Sequence, residues 1–178
     1  LVEPEESEAD AQVRSEAMLT DLATALDGMI RYRQDEGGRL HAVLSEQLAT
    51  IEALVAAVAK SPARTPDSIR QRLKQQVERL METGGAFDEG RLYQEAMLLA
   101  TRADVEEELK RLGTHIAAAR DLLNATEPVG RKLDFLAQEF NREANTLCSK
   151  ANDADITRAG LELKAIIDQM REQVQNIE

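Results

Sequence analysis

The chain is 178 residues long, with 43% apolar, 31% charged and only 3% aromatic residues and a formal net charge of −11. At this length a chain can bury about 70% of its unfolded surface, and so few aromatic residues favour an all-α protein over a sheet architecture. The negative charge argues against a nucleic-acid partner, which usually meets a basic surface. Residues 1–30, however, carry eight acids and one Arg, so the rest of the chain is far less acidic.

Cysteine content and hydropathy indicate the cellular compartment. The single Cys148 excludes an internal disulfide and fits a reducing cytosol. No apolar run is long enough to span a membrane, and no signal peptide is present. We therefore expect a cytoplasmic protein with no membrane partner.

The first third of the chain predicts a helical arm. Residues 1–10 are acidic and poor in apolar residues, which predicts a disordered or extended lead-in. From 11 to 60, apolar residues recur at steps of three and four, which predicts a long helical arm with a heptad-like seam. Gly37 and Gly38 interrupt the seam, and we expect a break and a bend there. The seam residues are Leu19, Leu22, Leu26, Met29, Leu40, Leu44, Ile51, Val55 and Val58.

The remaining elements are predicted from cap and breaker signals. Residues 61–87 are expected to form a connecting helix and loop, in which Thr65 caps a helix at 66–82 and Gly84 and Gly85 end it. Residues 88–178 are expected to form a C-terminal helical domain. Since no strand-like alternation occurs, we predict an all-α fold in which a long bent helical arm is followed by antiparallel helical hairpins. The helices expected in the C-terminal domain lie at about 88–101, 103–124, 131–150 and 155–177.

The helix at 131–150 is expected to present three different faces. Its apolar face comprises Leu133, Leu136, Ala137, Phe140, Ala144 and Leu147. A stripe of amides with one acid and one base comprises Asp134, Gln138, Asn141, Arg142 and Asn145. Each amide offers both donors and an acceptor. The stripe therefore either bonds a neighbouring helix or contacts a ligand, and both alternatives stay open at this stage. Glu139 and Glu143 occupy the third face.

Acidic and basic residues also gather on one side of the helix at 103–124. Asp104 and Glu108 lie one turn apart and can share a hard divalent cation through oxygen ligands. His115 lies about 10 Å further along the axis. It would need Glu139, Glu143 or another subunit as its partner. A Glu–Arg neighbour such as Glu108–Arg111 is also ordinary on a solvated helix.

Other motifs of known chemistry are absent from the sequence. There is no glycine-rich phosphate loop, no Cys/His zinc spacing and no nucleophile elbow, so we expect no small-molecule cofactor. With two Tyr, three Phe and no Trp, stacking on aromatic rings cannot be the main contact to RNA.

Two long stretches carry a family resemblance. GRKLDFLAQEFNREANTLCSK begins at Gly130, and DITRAGLELKAIIDQMREQVQNIE begins at Asp155. Together with a spaced set of residues from Arg91 to His115, they make the chain similar to the YicC-type bacterial endoribonucleases over about residues 25–178. Cys148 stands where the family has a small residue such as Gly or Ala. The family carries a further N-terminal domain of mixed α and β structure, which we expect this chain to lack.

The resemblance implies a metal-dependent endoribonuclease that cleaves structured RNA as a ring-like homo-oligomer, a hexamer, with Mn²⁺ or Mg²⁺ as the divalent metal ion. For that chemistry the expected catalytic residues are Glu108, His115, Glu139 and Glu143. The expected metal ligands are Asp104, Glu107 and Glu108. The expected RNA contacts are Arg102, Arg111, Arg131, Gln138, Asn141, Arg142 and Asn145.

The polar residues of the two helices are expected to face one another across a cleft, because packing the apolar stripes together brings the polar edges side by side. The arm and the C-terminal helices are expected to drive self-association. Composition and periodicity alone favour a different class of protein, a non-catalytic helical scaffold, and an RNA-binding adaptor is a further alternative.

Overall fold

The computed structural model describes residues 7–82, 90, 104–151, 153–175 and 177. The elements within these residues are all helical, so the predicted all-α fold is confirmed. They fall into two compact units, divided between Ala42 and Val43. Apart from residue 90, the predicted helix at 88–101 lies outside the described residues. The helices are α1 (Glu8–Ala59), a 3₁₀ turn (Pro62–Arg64), α2 (Pro66–Glu82), α3 (Glu106–Leu123), α4 (Gly130–Lys150) and α5 (Ala154–Val174).

Helix α1 is longer and more continuous than the sequence predicted. It begins at Glu8, where the Ser7 hydroxyl accepts a hydrogen bond from the Asp10 amide at 3.2 Å, so the predicted lead-in is wrong for residues 8–10. The predicted break near Gly37 and Gly38 is also wrong, because the helix runs through both glycines. Each glycine costs only about 1 kcal/mol relative to Ala, which long helical flanks on both sides can offset.

The apolar seam of α1 has a different environment in each unit. In the second unit its residues enter the core, and Leu48, which the predicted seam omitted, is buried with them. In the first unit four seam residues are roughly half exposed or more, and Leu40 is of intermediate exposure. The buried residues are Leu44, Leu48, Ile51 and Val58, and the exposed ones are Leu19, Leu22, Leu26 and Met29.

Within the described ranges, α1 is the one helix long and apolar enough to cross a membrane by length and composition alone. One such helix is weak evidence for a membrane span, and 22% of its apolar window is buried inside the protein. Leu44, Leu48 and Ile51 have no exposed surface because they pack in the protein core. The expectation that the protein has no membrane partner stays a prediction.

Local signals set the starts of α2 and α5. The Thr65 hydroxyl accepts a hydrogen bond from the Ser68 amide at 3.3 Å, which confirms the predicted cap of α2. The Asp153 carboxylate accepts from the amides of Asp155 and Ile156, at 2.9 and 3.4 Å, and so caps α5. The predicted end of α2 at Gly84 and Gly85 lies outside the described residues.

Helices α3, α4 and α5 form two antiparallel hairpins around one core. Glu108, early in α3, pairs with the last residue of α4, whereas Arg111 pairs with Glu143, further back along α4. Between α4 and α5, Asn141 bonds Asp168. The core between the helices includes Leu112, Leu133, Phe140, Leu147, Leu163, Ile167 and Met170, all with no exposed surface. This packing fixes which polar residues meet at the helix edges.

The α4–α5 hairpin depends on Gly160. A Cβ at this position would lie 2.5 Å from Cys148 Sγ and 3.1 Å from Leu147 Cδ2, so only glycine permits the observed helix approach. Burial raises the pKa of the Cys148 thiol. A raised pKa disfavours the thiolate that a nucleophile needs, and the Sγ packs against Gly160, so the geometry favours a packing role for Cys148.

We expect Gly160→Ala to lower the free energy of unfolding by about 1–3 kcal/mol, the usual cost of overpacking a core. Urea unfolding followed by circular dichroism measures it. Gly113→Ala is the matched control: its Cβ meets nothing within 4 Å, so the change should stabilise α3 by about 0.5–1 kcal/mol. Adding Cys148→Ala to Gly160→Ala should restore part of the loss. Equal stabilities for the two glycine variants would contradict the close approach.

Candidate functional site

The polar edge of the α3–α4 hairpin carries most of the residues with chemical potential. On α3, Glu107, Arg111 and His115 follow one another at four-residue steps and so lie on one side of the helix. On α4, Glu139 and Glu143 have the same spacing. Because the helices are antiparallel and pack through their apolar stripes, these two rows meet.

The tightest group on this edge comprises His115, Glu139 and Glu143. One donor atom from each residue lies within 4.8 Å of the others. Glu143 is only 3% exposed. His115 Nε2 is buried without a hydrogen-bond partner. The imidazole packs edge-on against Phe140, with the ring centroids 5.8 Å apart and the planes at 77°. This contact restricts the orientation of the imidazole ring.

The donor set fits a divalent metal ion. An imidazole nitrogen with two carboxylates suits a first-row transition metal such as Mn²⁺, and His115 Nε2 has no hydrogen bond that would compete with a ligand role. The sequence anticipated that His115 needs Glu139 or Glu143 as its partner, and the structure brings all three together.

Arg111 lies against the same cluster. Its Nη1 donates to Glu143 Oε1 at 3.2 Å, and its Nη2 donates to Glu107. The hydrogen bond to Glu143, and then the charge of Glu107, hold the pKa of Arg111 above its ordinary value. The Arg111 side chain is 51% exposed, whereas that of Glu143 is 4% exposed. A surface guanidinium therefore neutralises a buried carboxylate.

The predicted metal set of Asp104, Glu107 and Glu108 is not assembled in the structure. The Asp104 carboxylate accepts from the backbone amide of Glu106 at 3.0 Å at the start of α3. Glu108 is 5% exposed and pairs with Lys150 at 2.8 Å, while its Oε2 has no hydrogen-bond partner. Each acid thus has its own contact, because Glu108 turns into the hairpin and Asp104 stays exposed at the helix end. Their assignment as metal ligands stays a prediction, which this geometry disfavours.

The amide stripe of α4 forms a hydrogen-bonded ladder. Gln138 donates to Asp134 at 2.8 Å and Asn145 donates to Asn141 at 2.7 Å, both along α4. Asn141 in turn donates to Asp168 of α5 at 2.9 Å. The first alternative, bonding to a neighbouring helix, therefore holds for Asn141. Gln138 and Asn145 remain exposed, so contact with a ligand stays a prediction.

The predicted basic RNA contacts are dispersed. Arg142 and Arg131 are exposed on α4. Arg102 lies outside the described residues. Sequence analysis missed Phe135, which is 60% exposed and lines an open cavity of about 520 Å³ together with Arg131 and Leu136. The sequence could have indicated this exposure, because Phe135 is a large apolar residue that falls outside the apolar face of α4.

Together, these features define an all-helical hairpin protein with a histidine–carboxylate cluster on its polar edge. The family described as "Endoribonuclease YicC-like, C-terminal" matches residues 58–178. The "Probable endoribonuclease YicC" of Haemophilus influenzae is 38% identical over 178 residues, all of this chain and 60% of that protein. The protein of the same name from Clostridioides difficile is 30% identical over 178 residues, covering 61% of its length.

The chain belongs to the YicC-like endoribonuclease family, which confirms the resemblance found in the sequence. It spans about 60% of the length of these curated relatives. The matched region contains α3, α4 and α5, and with them the whole histidine–carboxylate cluster.

Proposed function

We propose that this chain is the catalytic portion of a metal-dependent endoribonuclease that cleaves structured RNA. The observation that carries the proposal is the cluster of His115, Glu139 and Glu143, with donor atoms within 4.8 Å and an unpartnered His115 Nε2. Membership of the YicC-like family supports RNA as the substrate.

In this proposal the His115 imidazole and the carboxylates of Glu139 and Glu143 hold Mn²⁺ or Mg²⁺. When bound, the ion would supply an activated water molecule and offset charge on the scissile phosphate. Arg111 lies one turn from His115 on α3, where its guanidinium can fork onto phosphate oxygens. Phe140 keeps the imidazole in place through the edge-on contact.

RNA recognition is proposed to rely on backbone and shape. Arg142 and the exposed amides of Gln138 and Asn145 offer donors to phosphate and ribose oxygens. Phe135 beside Arg131 offers one local stacking surface. The net charge of −11 argues for a small basic contact region rather than a broad basic face, so we expect affinity to fall only modestly with salt.

The test is a paired measurement of metal binding and cleavage. Isothermal titration of the chain with Mn²⁺ reports the metal site directly, and a labelled structured RNA incubated with Mn²⁺ or with chelator reports cleavage. We expect Mn²⁺ binding that is lost in His115→Ala, and cleavage that stops in chelator. Cleavage that continues in chelator, by a chain that binds no Mn²⁺, would overturn the proposal.

A second candidate function, self-assembly, is favoured by a separate observation. The part of α1 that belongs to the first unit exposes large apolar residues along its length, with Leu22 55% and Leu26 46% exposed. Exposed apolar stripes of this kind mark protein–protein contacts. We propose that α1 drives formation of a homo-oligomer, in line with the ring-like hexamer expected for the family. Assembly without cleavage would instead favour the scaffold or adaptor class.

We expect the double variant Leu22→Glu and Leu26→Glu to shift the chain towards monomer in sedimentation velocity at micromolar concentration, because buried charge opposes helix pairing. Thr20→Glu together with Thr24→Glu adds the same two charges at exposed positions on another side of α1 and serves as the control. An unchanged oligomer in the double variant, or a monomeric parent chain, would count against α1 as the assembly surface.

A further inference from the structure

We infer that Arg111 is a displaceable cation: it holds the Glu143 carboxylate until the metal ion binds and is then released to a phosphate of bound RNA. This inference rests on the proposed metal site and adds a coupling between metal and RNA binding. The argument starts from the environment of Glu143.

Glu143 needs a cation in the absence of metal. Its side chain is 4% exposed, and an isolated carboxylate at such burial carries a large desolvation penalty. Among the described residues, the cation paired with it is Arg111, through a single contact of 3.2 Å from Nη1 to Oε1. An Arg–carboxylate pair at its strongest uses two parallel hydrogen bonds. The observed contact is therefore strong enough to neutralise Glu143 and weak enough to exchange.

The rest of the Arg111 side chain is free to move outward. It is 51% exposed, and its second partner, Glu107, is 68% exposed one turn earlier on α3. An ion pair between exposed groups contributes only about 0–1 kcal/mol. Glu107 thus marks a surface position that the guanidinium already reaches, away from the buried cluster.

A metal ion and Arg111 compete for the same carboxylate. A divalent ion on His115, Glu139 and Glu143 would neutralise Glu143 and repel the guanidinium at close range. Arg111 would then present its planar donors at the rim of the metal site, where a phosphate must approach. By linkage, a phosphate that captures Arg111 also removes the competitor from Glu143, so RNA tightens metal binding.

The experiment is a Mn²⁺ titration of the whole chain, in the parent form and as Arg111→Met, at a pH well above the carboxylate range. We expect Arg111→Met to bind Mn²⁺ about tenfold more tightly, because the competing cation is gone. Arg158→Met is the matched control, since Arg158 pairs with Asp155 at the exposed start of α5. Arg111→Gln, which keeps a polar side chain, provides a second variant, and circular dichroism checks that both fold.

The coupling has its own readout. A structured RNA methylated on its ribose hydroxyls, checked for integrity on a gel, should tighten Mn²⁺ binding to the parent chain but leave Arg111→Met and Arg111→Gln unchanged. Folded Arg111 variants that bind Mn²⁺ no more tightly than the parent would overturn the inference while leaving the metal site intact. Absence of Mn²⁺ binding in the parent and in every variant would instead overturn the metal site itself.

Discussion

Glu143→Gln is expected to weaken Mn²⁺ binding and to slow RNA cleavage by about 100-fold or more. The substitution removes one of two anionic donors beside His115 and keeps the shape of the side chain. Glu143 is only 3% exposed, so a carboxylate from the protein surface is not expected to replace it. Mn²⁺ titration and a cleavage time course under single-turnover conditions measure the two effects.

The control for this prediction is Glu162→Gln, which makes the same chemical change at an exposed position on α5. We expect it to bind Mn²⁺ and cleave RNA like the parent chain. Glu143→Gln should remain folded, because a neutral amide in the buried position no longer requires the charge of Arg111. A folded Glu143→Gln that cleaves RNA at the parent rate would remove Glu143 from the catalytic site and favour the scaffold class.

The helix boundaries could be predicted because the signals that set them are local. Thr65 followed by Pro66 predicted the start of α2 to the residue. The range predicted for α4, 131–150, differs from the structure by one residue. Gly37 and Gly38 misled the prediction because a glycine pair is a weak penalty within a helix, not a stop signal, when no capping residue follows it.

The site could be predicted only as far as helix faces determine it. The distance of His115 from Asp104 and Glu108 along one helix excluded an ion shared by all three and pointed to Glu139, Glu143 or another subunit. When the apolar stripes of α3 and α4 pack together, the polar edges that carry His115 and the two glutamates lie side by side. The sequence could not show which acids turn inward, because that depends on the register of the hairpin. Glu108 was therefore grouped with Asp104 by spacing, although the register places it beside Lys150.

The Glu108–Lys150 contact is expected to be a structural ion pair rather than part of the metal site. Glu108 lies in the first turn of α3 and Lys150 in the last turn of α4. A negative charge at a helix N-terminus and a positive charge at a helix C-terminus both interact favourably with the helix dipole. The Glu108 side chain is 6% exposed and that of Lys150 is 30% exposed. Removing Lys150 would leave a buried carboxylate without its cation, a change with a large cost.

Lys150→Met is accordingly expected to lower the free energy of unfolding by about 3 kcal/mol, measured by urea unfolding at neutral pH. Glu108→Gln alone should lower the free energy of unfolding by less, because the partly exposed Lys150 ammonium can still reach water. The double variant should recover much of the stability lost in Lys150→Met, since a neutral amide needs no cation. Both Glu108→Gln and the double variant should bind Mn²⁺ like the parent chain. Two results together would contradict this prediction: Lys150→Met as stable as the parent chain, and Glu108→Gln with reduced Mn²⁺ affinity. They would return Glu108 to the metal site, because only a ligand role links that carboxylate to the ion independently of Lys150.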